Sequence, residues 1–143
     1  MTAESTAAAH WSFWVIGIAT LLYNLAGVVN FTTQMNPDNI AAMPEIYRAI
    51  IEGRPFWATG AFGLAVIGGV LGCSVLLLRK PMALYVFAAS LVGAVLTMLQ
   101  ALGVGSTAAS PPEFMIGNVV QILVTVFLIW YANWSDRKGW LSN

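Results

Sequence analysis

The chain has 143 residues, of which 59% are hydrophobic and only 8% charged, six basic against six acidic, so its formal net charge is zero. Soluble domains carry charge on about a quarter of their residues. That contrast, with a mean hydropathy of +0.78, excludes an ordinary cytosolic enzyme, a basic nucleic-acid binder and a disordered tail, and leaves a small integral membrane protein.

The few charges bound four uncharged stretches, residues 11–33, 55–78, 82–104 and 114–134, which together cover 91 of the 143 residues. Each is long enough to cross a hydrocarbon core of roughly 30 Å as a helix, which needs about 20 apolar residues. Backbone amides in lipid must be satisfied within their own segment, so the spanning form is helical. The expectation is one all-α domain, a four-helix transmembrane bundle. The first stretch reads as a retained anchor: no Lys or Arg precedes it, and its apolar run is too long for a cleaved leader.

Residues 34–54 form the longest connection. Pro44, Gly53 and Pro55 frame a short amphipathic helix over 44–52. Met43, Tyr47, Ile50 and Ile51 fall on one side of it, with Glu45, Arg48 and Glu52 largely on the other. Such a helix either covers the helix ends at the membrane surface or forms a lid over something beneath it.

In the second stretch Ala61, Ala65, Gly68 and Gly72 recur at steps of four, three and four. Ala89 and Gly93 make a matching pair in the third. Small faces of this kind let helix backbones approach closely, within a chain or between chains. A phosphate-binding glycine loop is a poor alternative, because it needs a preceding strand.

Only Arg79, Lys80 and Pro81 join the second and third stretches, which forces an antiparallel hairpin. The third connection, 105–113, is rich in Gly, Ser, Ala and Pro, and Pro112 suits the first turn of the last helix. Four crossings put both termini and the Arg79–Lys80 turn on one side, together with Arg137 and Lys138. The opposite side holds Arg48 and Arg54, offset by Asp38, Glu45, Glu52 and Glu113. The basic excess predicts cytoplasmic termini. Trp11, Trp14, Trp130, Tyr131 and Trp134 would mark the inner interface, and Phe56, Trp57 and Phe114 the outer one.

Asn24, Gln100, Asn118 and Gln121 are the candidate site. At 1.5 Å per residue, Gln100 and Asn118 lie roughly 6 Å, Gln121 roughly 10 Å and Asn24 roughly 14 Å from the outer ends of their helices. Asn118, Gln121 and Thr125 share one face. The cluster reads either as a polar vestibule open to the outside or as hydrogen-bonded glue between helices.

No Asp, Glu, Lys, Arg or His lies within any stretch, which argues against proton-coupled transport. A lone His10 and a lone Cys73 cannot build a metal, haem or iron–sulfur site in one chain. Without a nucleophile–base pair, an enzyme is not expected, nor any cofactor.

Several strings resemble a family of small, mostly uncharacterised bacterial four-helix inner-membrane proteins. They are Leu21-x-x-Asn24-x-x-Gly27, Gln34-Met35-Asn36, Arg54-Pro55-x-Trp57-Ala58-Thr59-Gly60-Ala61, and Gly68-Gly69-x-Leu71-Gly72 followed by Leu76-Leu77-Leu78-Arg79. The resemblance covers about residues 11–100. It implies a bacterial inner membrane, and some members carry a sugar-transporter label. Two functions follow from the sequence. One is a non-catalytic accessory subunit that packs onto a larger membrane complex through the Ala61, Ala65, Gly68 and Gly72 face. The other is an oligomeric binder or facilitator for a small solute or a lipid, working from the polar vestibule, and the resemblance implies that the solute is sugar-like. Partners would be membrane lipids with another membrane protein or further copies of the chain, and no nucleic acid.

Overall fold

A computed structural model describes residues 8–102 and 112–141, with side chains from 115 in the last helix. The described residues are helical, with no strand among them. In chain order the helices are α1 (Trp11–Met35), α2 (Pro37–Ala41), α3 (Glu45–Glu52), α4 (Phe56–Leu77), α5 (Ala83–Ala101) and α6 (Pro112–Arg137). Four of them, α1, α4, α5 and α6, are long and apolar enough to cross a membrane. The chain is therefore a multi-pass, all-α membrane protein.

Local chemistry sets the boundaries. His10 caps α1 by accepting from the Ser12 amide at 3.3 Å. Asn36 ends α1 and starts α2, its side chain accepting from the Asp38 amide at 2.9 Å with Pro37 in the first turn. This five-residue helix is an addition to the elements expected from sequence. α3 occupies the expected amphipathic segment, and Pro55 separates it from α4. α6 runs three residues past the expected end at 134. Most of the expected 105–113 connection lies outside the described residues.

Two helix C-termini close in the same way. Arg79 sits in the left-handed region (φ 61°), with its amide on Leu76 O and the Lys80 amide on Val75 O. Gly139 (φ 75°) repeats the arrangement after α6, its amide on Asp136 O and the Trp140 amide on Ser135 O. Both are Schellman closures, which satisfy carbonyls the helix leaves free. Arg79 Nε donates to Trp140 O at 2.6 Å and ties the two ends together.

α4 is the central helix and packs on both α1 and α5, while α6 packs on α5. Glycines set the closest approaches. Where α1 meets α4, a β-carbon at Gly17 would meet Leu77 at 2.5 Å, and one at Gly27 would meet Val66 at 2.8 Å. Against α4, a β-carbon at Gly93 would fall 2.6 Å from Ala61 O and 2.7 Å from Ala65 N. Gly68 abuts Ser90, Gly72 abuts Phe87, and Ser90 Oγ donates to Ala65 O at 2.6 Å. The small-residue face is thus consumed inside the chain. Ala61, Ala65, Gly68 and Gly72 are all buried against α5, so they are not a free docking surface.

α1 and α6 approach each other less closely than the other neighbours. At the termini end their seam is filled by aromatic rings: Phe13 is fully buried, stacked with Tyr131 at 6.3 Å and edge-on to Trp140 at 5.9 Å. Trp140 in turn meets Trp134 edge-on at 5.0 Å. Cys73, Leu76, Phe87 and Leu128 complete this core. At the opposite end the seam opens.

Candidate functional site

The opening is a cavity of about 500 Å³ between α1, α4, α5 and α6, beneath α3. That volume lies within the range of small-molecule sites, about 300–1,000 Å³. Met43, Tyr47 and Ile51 contribute the roof. They are the apolar side of the amphipathic helix and its lead-in, so this segment both covers the helix ends and lies over the cavity. The walls are largely apolar, from Ala26, Gly27, Phe62, Ala65, Val66 and Ala94. Polar groups enter from Tyr23, Asn30, Gln34, Thr97, Asn118 and Gln121.

The four sequence candidates separate. Asn118 and Gln121 line the cavity on α6. Asn24 lies behind the lining, 1% exposed, in a network across three helices. Its amide Nδ2 donates to Thr20 O at 2.9 Å and faces Cys73 Sγ at 3.8 Å. Gln121 Nε2 donates to Asn24 Oδ1 and to Thr125 Oγ1, each at 3.4 Å. Thr125 Oγ1 donates to Gln121 O at 2.8 Å, and Cys73 Sγ contacts Thr20 Oγ1 at 3.5 Å. Asn24 and Gln121 therefore form a floor in which the Gln121 amide donates to the Asn24 amide, and Asn24 in turn donates to Thr20 O. Gln100 is buried one turn beyond Thr97 and is not part of the lining. It shares their depth but not their position around the bundle.

Gly69 makes the floor possible, because its bare α-carbon faces the Asn24 carboxamide. Below the floor lies the aromatic core, so the chamber is blind at that end.

A second polar cluster stands at the rim: Gln34 and Arg54, which the sequence places in the first connection, and Asn30, which it places inside the first stretch. Gln34 is 5% exposed; its Nε2 donates to Asn30 Oδ1 at 3.2 Å and its Oε1 accepts from Arg54 Nη2 at 2.8 Å. This relay fixes the amide orientation. The Arg54 guanidinium also lies over the Phe62 ring, 5.4 Å from its centroid, a cation–π arrangement. Arg54 Nη1 is buried and has no hydrogen-bond partner. Burial pulls the Arg54 pKa below its ordinary value, because desolvation disfavours the charged form. The one available signal was spacing: Asn30 and Gln34 share a helical face that runs directly beneath the residues before α4.

Among the described residues no group of three or more His, Cys, Asp or Glu side chains is placed to hold a metal ion. Compared with family models, with curated proteins and with solved structures, the chain shows no match.

Proposed function

We propose that the chain is a non-catalytic binder or facilitator for a small amphiphilic solute, working in the bacterial inner membrane with both termini cytoplasmic. The single observation that carries this reading is the blind, roofed cavity of about 500 Å³ at the end away from the termini. Its mainly apolar wall suits a hydrocarbon or ring face. Its carboxamides and hydroxyls suit hydrogen-bonding groups that fix orientation. Packing alone does not call for such a space, since protein interiors are close-packed.

The other expectation, an accessory subunit, would have to dock through a surface other than the Ala61, Ala65, Gly68 and Gly72 face. That face is already occupied by α5.

The test is occlusion. Gly117 lines the cavity, and a β-carbon there meets nothing within 4 Å. Gly117→Phe should fold and lose ligand-dependent thermal stabilisation in phosphatidylcholine nanodiscs, while Gly117→Ala keeps it. If amphiphiles stabilise Gly117→Phe as well as the parent protein, the cavity is not where they bind.

A further inference from the structure

The floor and the rim of the chamber differ in one respect. At the floor, the Asn24 amide has partners on both sides, Oδ1 accepting from Gln121 and Nδ2 donating to Thr20 O. At the rim, Arg54 has one described acceptor, Gln34 Oε1, and its Nη1 is buried without any. A guanidinium offers five N–H donors and no acceptor, and it stays charged. Withdrawn from water, it needs anionic or carbonyl oxygens to replace hydration. The charge sits against two cavity-lining side chains, Gln34 and Phe62. It stands between α3 and α4, beside the end of α1.

We propose that the ligand is an anionic amphiphile whose carboxylate or phosphate head accepts from Arg54 Nη1 while its apolar body enters the cavity below Tyr47 and Met43. This rests on the binding-chamber reading above. The Asn30–Gln34 relay holds the guanidinium in place and Phe62 carries its flat face, which leaves Nη1 as the buried donor still lacking an acceptor. Head-up, tail-down is also the orientation an amphiphile already has in the leaflet.

The experiment measures binding of radiolabelled dodecanoate and of its methyl ester to the full chain in phosphatidylcholine nanodiscs. It is run at roughly pH 8.5, well above the carboxylate range. The parent protein should bind dodecanoate at least about tenfold more tightly than the ester, as a hydrogen bond to a charged group implies. In Arg54→Gln that ratio should fall to within about twofold, and Arg54→Lys should restore part of it. Dodecyl phosphate should displace dodecanoate, and inorganic phosphate should not; displacement by inorganic phosphate would make this a free-anion site and overturn the proposal. Equal binding of acid and ester by the parent protein overturns the anion assignment, whether or not Arg54→Gln folds, and leaves the chamber reading standing. Binding of neither probe removes both.

Discussion

Gly69 faces Asn24 so closely that any β-carbon at position 69 would overlap the carboxamide oxygen. The pair couples helix packing to the chamber, because the same oxygen accepts from Gln121 on α6. Gly69→Ala must therefore displace Asn24 or part α1 from α4. Overpacking of this kind costs about 1–3 kcal/mol. Gly60→Ala is the matched control: it meets nothing within 4 Å and should be neutral or stabilising by about 0.5–1 kcal/mol. Thermal unfolding of the two variants in one detergent checks the contrast.

Gly93 carries a harsher constraint. Its neighbours across the interface are Ala61 O and Ala65 N, backbone atoms that cannot swing aside. Gly93→Ala is expected to lose about 3 kcal/mol, the upper end for overpacking. A loss under about 1 kcal/mol, read from the same unfolding measurement, would mean that α4 and α5 are not this close.

The Asn24–Gln121 contact is long, at 3.4 Å, and membrane hydrogen bonds are weak on average. A double-mutant cycle with Asn24→Leu and Gln121→Leu should return a coupling of roughly 0.6 kcal/mol, and no more than about 1.7 kcal/mol. Zero coupling would separate α6 from the floor.

At the other end of the molecule, the Gly139 φ of 75° is the left-handed closure of α6. Gly139→Ala should destabilise by about 1–2 kcal/mol and loosen Trp140 from Phe13 and Trp134. A shift in tryptophan emission with the lowered unfolding temperature is the expected signature.

Much of the fold was legible in the sequence because charge is excluded from hydrocarbon. The gaps between Arg54 and Arg79, and between Lys80 and the last acidic residues, delimit helices with no need for tertiary information. The small face of α4 was legible for a similar reason, its step of three and four. Its partner was not, since periodicity does not distinguish α5 from a second protein. Depth brought Asn24, Asn118 and Gln121 to one level correctly. It also swept in Gln100, because depth along a helix says nothing of rotation about the bundle. α2 escaped although Asn36, Pro37 and Asp38 carry its capping signal, and five residues leave no periodicity to notice. Arg54 was counted as a connection charge. Only the fold of residues 34–54 back over the α1 terminus turns it toward Gln34.

The most direct test of the chamber is its sidedness. Asn118→Cys, on the cavity wall, and Leu128→Cys, in the buried core, would each be treated with a membrane-impermeant thiol reagent in spheroplasts and in inverted vesicles. Native Cys73 is fully buried, so the parent protein supplies the background. The account predicts labelling of Asn118→Cys in spheroplasts, slowed by a bound amphiphile, and none of Leu128→Cys from either side. Labelling of Asn118→Cys only in inverted vesicles, or not at all, would contradict it.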